Sequence, residues 1–301
     1  MKIRKHACAE AVQIDSHWRG IGGPAATLFG VRKAKDLIRT LLFILLPIGV
    51  VSMAPLALHA QTLSFASAQS TVASGLEGPL GVAVDGAGDV FFAQNGGEDG
   101  AGNVVKVSPS GTTTTVASGL SFSNSYFVGV ATDGAGDVFV VQTNGNPIVL
   151  KISPSGATTT VGSGLISPEG VAVDGKGDVF ISDDGLGEVL EVPAGGGPQA
   201  TLASGLFGSF RLAVDVKGDV FVVEVNSDGS GQILEVTASG SQTTVVSGLI
   251  APRGVAVDIA GDLYIAEPAR SSFSQVVEVP AGCTSASCQT TDEATATFMF
   301  E

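Results

Sequence analysis

From residue 79 the chain sets short apolar runs against polar, glycine-rich punctuation. A run such as Val82, Ala83, Val84 ends at Asp-x-x-Gly-Asp, and a second run of β-branched and aromatic residues follows, the signature of a β-hairpin. A third strand is predicted at Asn103–Val107 or Glu188–Val192. A Pro/Ser/Gly turn then leads to a fourth, typified by Thr113–Leu120. The second strand reads Val-Phe-Phe-Ala, Val-Phe-Val-Val or Val-Phe-Ile-Ser. It is apolar on both faces, as a sheet packed between two neighbouring sheets requires.

The unit recurs five times: GVAVDGAGDVFFAQ from Gly81, GVATDGAGDVFVVQ from Gly129, GVAVDGKGDVFISD from Gly170, RLAVDVKGDVFVVE from Arg211 and GVAVDIAGDLYIAE from Gly254. Its first aspartates, Asp85, Asp133, Asp174, Asp215 and Asp258, are spaced by 48, 41, 41 and 43 residues. That period suits a four-stranded propeller blade and is too long for a leucine-rich repeat. The fold class expected is all-β, a β-propeller of four-stranded blades. Phe91, Phe139, Phe180, Phe221 and Tyr264 recur at one position and are read as inter-blade core.

The motif Pro-x-Gly-Val-Ala-Val-Asp-x-x-Gly-Asp-Val-Phe resembles the NHL repeat over roughly residues 71–290. WD40 and kelch propellers fit less well, since the only tryptophan is Trp18. The resemblance implies a propeller, commonly six-bladed, used by many exported bacterial proteins and receptor ectodomains to bind protein, glycan or small ligands. Five complete repeats favour five blades, with an incomplete six-bladed ring as the alternative. Thr71–Leu76 (TVASGL) matches a fourth strand with no preceding three, and is expected to close the ring by pairing with the last blade, hiding both sheet edges. A last fourth strand should begin at Gln289-Thr290-Thr291, and the residues from Asp292 to Glu301 match no other unit.

Charge divides the chain at Gln61: residues 1–60 hold 8 Lys+Arg against 3 Asp+Glu, and residues 61–301 hold 7 against 26. So acidic a segment, with no basic cluster, disfavours nucleic acid and anionic lipid as partners. His6, His17 and His59 are the only histidines. The repeat region therefore lacks the usual participant in imidazole catalysis and in most zinc or haem ligation. Leu41–Leu58 is an uncharged apolar run preceded by Arg32, Lys33, Lys35 and Arg39 and followed by Ala60, the pattern of a secretory signal peptide. The division expected is a leader over 1–60 with its apolar region at 41–58, a linker over 61–70 and the propeller over 71–301. Cleavage is expected after Ala60, and an uncleaved anchor is the rival reading. Localisation is then secreted or periplasmic, with no membrane contact once the leader is removed.

Cys283 and Cys288 flank a lengthened third-to-fourth strand turn, and in an exported protein a hairpin disulfide is expected there. Asp89, Asp137, Asp178, Asp219 and Asp262 recur at equivalent turns and are read as turn geometry in preference to calcium sites. Function is sought where the units differ. Before the first strand stand Leu80, Val128, Glu169, Arg211 and Arg253, and at the end of the second stand Gln94, Gln142, Asp183, Glu224 and Glu267. The candidate ligand face is Gln94, Gln142, Glu169, Asp183, Arg211, Glu224, Arg253 and Glu267. Arg211 is expected either to join Arg253 in holding a carboxylate or sulfate, or to pair with Glu169 and Glu224. The function expected is a monomeric, non-enzymatic binding module or scaffold for a protein, glycan or small ligand, with no catalytic residue and no cofactor. The alternative is a lactonase-like enzyme that needs calcium or magnesium.

Overall fold

The fold grows from five turns built alike. In the first, Asp85 Oδ1 accepts hydrogen bonds from the backbone N–H of Ala87 and of Asp89 (3.0 and 2.9 Å), and Gly88 N–H donates to Asp85 O. Gly88 sits at φ 81°, a left-handed conformation that explains the glycine in Asp-x-x-Gly-Asp. The same carboxylate bonds recur at Asp133, Asp174, Asp215 and Asp258. The repeated aspartates therefore serve as backbone acceptors.

The computed structural model describes residues 71–95, 101–122, 128–143, 145–268, 275–283 and 290–292. The expected leader and linker lie outside them. Among the described residues twenty strands form five four-stranded antiparallel sheets. Blade one comprises β1 (Pro79–Val84), β2 (Val90–Gln94), β3 (Gly102–Val107) and β4 (Thr113–Leu120). Blade two has β5 (Val130–Thr132), β6 (Val138–Gln142), β7 (Ile148–Ile152) and β8 (Thr158–Val161). Blade three has β9 (Pro168–Val173), β10 (Val179–Asp183), β11 (Glu188–Val192) and β12 (Ala200–Ser204). Blade four has β13 (Ser209–Val214), β14 (Val220–Val225), β15 (Ser230–Val236) and β16 (Gln242–Ile250). Blade five has β17 (Gly254–Val257), β18 (Leu263–Glu267), β19 (Gln275–Val279) and β20 (Thr290–Asp292). Each sheet runs in chain order, and the first strands of successive blades touch. The result is a five-bladed β-propeller.

The core lies between blades. Phe91, Ala93 and Val104 of blade one meet Val138, Val140 and Ile152 of blade two. Phe139 faces Val179 and Ile181, Phe180 faces Val220 and Val222, and Phe221 faces Leu263 and Ile265. These four phenylalanines are buried, whereas Tyr264 is half-buried. Apolar residues of the fourth strands β4 and β12, Val116, Ala117, Leu202 and Ala203, join the contact with the following blade.

One expectation is corrected. Thr71–Leu76 forms no strand and does not pair with the last blade, whose fourth strand is its own β20, paired with β19. Val72, Ala73 and Leu76 instead pack on Val90, Phe92 and Val107, covering the face of blade one turned away from blade two. The physical reason is that the register places Asp292 opposite Val276, so the edge of β19 is already taken where a returning strand would pair.

Candidate functional site

The end of each second strand carries an acceptor side chain, and the loop coming into the same blade brings a backbone N–H to it. Glu77 N–H donates to Gln94 Oε1 and Ser121 N–H to Gln142 Oε1, both at 3.3 Å. Phe207 N–H donates to Glu224 Oε1 at 3.3 Å, and Ile250 N–H donates to Glu267 Oε1. Asp183, fully buried at 0% exposure, accepts from three N–H groups, those of Ile166, Ser167 and Leu186. Gln232 and Gln275 donate to the second oxygens of Glu224 and Glu267, each at 2.7 Å. A buried carboxylate is costly unless hydrogen-bonded, and these bonds meet that requirement. Five of the eight candidate residues thus latch incoming loops onto second strands.

Glu169 and Arg211 behave differently. Glu169 lies in β9 and Arg211 in β13, the touching first strands of blades three and four. On the other side of β9 the chain entering blade two approaches closely: a Cβ built on Gly129 would come within 2.8 Å of Val171 N and 2.9 Å of Glu169 O. Arg211 stands where four other units have glycine, so the repeat is broken at this strand. Burial and the neighbouring Asp184 push the Glu169 carboxyl up to about 7, against the pull of Arg211 in the other direction. Glu169 Oε2 is buried and has no hydrogen-bond partner. The Arg211 guanidinium is depressed by burial and supported by Glu169, and its intrinsic basicity keeps it cationic. Of the two arrangements expected for Arg211, the electrostatic coupling is with Glu169. Arg253 is exposed, and its backbone N–H donates to Ala266 O.

Three apolar side chains at this end of blades three and four escaped the sequence reading. Ile166 is 58% exposed, Phe207 is 74% exposed and Leu186 lies on the turn between them. A Cβ built on Gly185 would meet Ile166, and Leu206 N–H donates to Gly187 O, so the segments bearing Ile166 and Phe207 both border the turn that carries Leu186. The signal was present in the position after Ser-Gly-Leu, where Glu77 and Ser121 give way to Ile166, Phe207 and Ile250. Asp184, which helps raise Glu169, was likewise not singled out. Among the described residues no group of three His, Cys, Asp or Glu side chains is placed to hold a metal ion. Cys283 lies in the turn after β19, against the core shared by blades four and five. Cys288 falls outside the described residues.

No protein-family model matches the sequence, and no curated protein sequence matches it. Solved structures do. A nidogen in complex with laminin aligns with a TM-score of 0.56 and 16% identity over 69% of this chain and 77% of that one. A streptogramin B lyase aligns at 0.55 and 14% identity, over 78% and 73% respectively. TolB from Acinetobacter baumannii aligns at 0.59 and 13% identity over 71% of this chain and 54% of that one. Binding proteins and an enzyme share this architecture, so the likeness extends to the fold and stops there. In fold, this chain is a β-propeller.

Proposed function

We propose that the chain is an exported, NHL-type propeller that acts as a monomeric, non-enzymatic binding module, reading its ligand at the Glu169–Arg211 site. The observation that carries this reading is the Glu169 carboxyl, held up to about 7 with one buried oxygen lacking a hydrogen-bond partner, beside the buried guanidinium of Arg211. A half-buried guanidinium favours a carboxylate or sulfate as its partner. Protonated Glu169 can donate to the same ligand. An acidic glycan or a protein carboxylate meets both requirements, and Ile166, Leu186 and Phe207 offer apolar contact beside it.

The test is a pull-down from glycan arrays and envelope extracts. Arg211→Ala with Arg253→Ala should abolish retention, whereas Lys176→Ala with Lys217→Ala, at the opposite turns, should leave it intact. Loss confined to the lysine variant overturns the assignment. Calcium or magnesium should leave the melting temperature of residues 61–301 unchanged, because a bound ion stabilises the folded state by mass action. A saturable rise would transfer the reading to the cation-dependent lactonase-like alternative.

A further inference from the structure

Blade five breaks the burial rule kept by the others. The second strands β2, β6, β10 and β14 are buried over four consecutive residues, yet β18 alternates, with Leu263 and Ile265 buried, Tyr264 half-buried and Ala266 exposed. Ala256 opposite Tyr264 and Val276 opposite Ala266 are exposed as well, Val276 by 41%. The equivalent face of each earlier blade is covered by the next blade. A Cβ on Gly81 would strike Val128 O at 2.1 Å, whereas one on Gly254 would meet only Ala266 of its own blade at 4.0 Å. The fourth strand departs in step. Asp292 stands opposite Val276, a place held by Ala117 opposite Val104, Ala203 opposite Val189 and Val246 opposite Ile233.

The geometry points to this onward face of blade five as the seat of the chain's own residues 293–301. These follow directly from Asp292, the residue paired with Val276. Nine residues reach about 30 Å when extended, whereas the four strands of a blade span about 15 Å, so the segment can cross the whole face. Its sequence alternates Ala294, Ala296, Phe298 and Phe300 with Thr295, Thr297 and Met299, a pattern with one apolar side. Large phenylalanines complement the small Ala256 and Ala266. A second copy fits poorly: burial pushes the Tyr264 hydroxyl up, and the nearby carboxylates of Glu278, Asp258 and Asp262 push it further. Two such faces pressed together would bring these carboxylates into mutual repulsion.

The experiment is hydroxyl-radical footprinting of the full chain, read by mass spectrometry at Tyr264 and Val276, beside the variant Phe298→Ser, Phe300→Ser. Oxidation of both residues should rise at least threefold in the variant, with buried Phe221 unchanged as the folding control, and both proteins should sediment as monomers. Phe300→Ser alone should move the signal in the same direction. Equal oxidation in all three proteins overturns the proposal. So does protection that is lost on dilution together with a dimer, which would assign the face to a second copy.

Discussion

At the residue scale, two positions of one hairpin separate packing from turn geometry. Phe180 is buried between blades three and four, among Val189, Val220 and Val222, so Phe180→Ala leaves a cavity and should destabilise the protein by about 3–5 kcal/mol. Asp178 accepts one hydrogen bond, from Ala194 N–H at the surface. Asp178→Asn keeps an oxygen there and should cost far less. Urea midpoints of the two variants check this, and equal shifts would mean that the division is wrong. The repeated phenylalanine was legible in the sequence because only an inter-blade position wants a large apolar side chain in every unit. Glu224 and Glu267 were not legible as latches. Their partners are backbone N–H groups about 17 residues upstream, and backbone groups carry no residue signature.

At the element scale, hairpins were readable wherever a turn announced them. Thr113–Leu120 and Glu188–Val192 are strands with the boundaries expected from Pro/Ser/Gly and Asp-Gly punctuation. Thr71–Leu76 shares its six residues with the end of β4, yet it covers the face of blade one turned away from blade two without entering a ladder. Its apolar pattern specified which surface it would bury, and pairing depended on a vacant edge that its own residues do not encode. The turn after β19 belongs to this scale too. In an oxidising compartment Cys283 and Cys288 should be joined, a small-loop crosslink contributing about 2 kcal/mol. Thiol labelling of the unreduced mature protein should then find no reactive cysteine, and two labelled cysteines would overturn the pairing.

At the scale of the whole molecule, blade contact sets a titration that depends on the assembled rim. Glu169 has an ordinary value of 4.5 and is pushed up to about 7 by burial, with Asp184 adding to it. Between those two pH values the native state binds more protons than the unfolded chain, so stability must fall as pH rises through that window. The loss from this group should be about 1–2 kcal/mol, the full shift being reduced for its partial exposure to water. Glu169→Gln should remove that slope and be the more stable protein at pH 8. Denaturant midpoints measured from pH 4 to pH 8 check this, and parallel curves for the two proteins would refute it.

The sequence by itself determined the repeat, its period, the hairpins and the residues between blades. These depend on local turn chemistry and on a hydrophobic pattern that each unit repeats, so five copies reinforce one reading. Tertiary structure alone decided which polar side chains at the inner rim are engaged. Gln94, Gln142, Asp183, Glu224 and Glu267 look like an array of ligand-binding groups in sequence, but once folded they latch backbone. Glu169 acquires its altered proton affinity only when burial and the charges of Asp184 and Arg211 converge on it. Desolvation and charge coupling act through distance in space, and the strand contacts between blades three and four create that proximity.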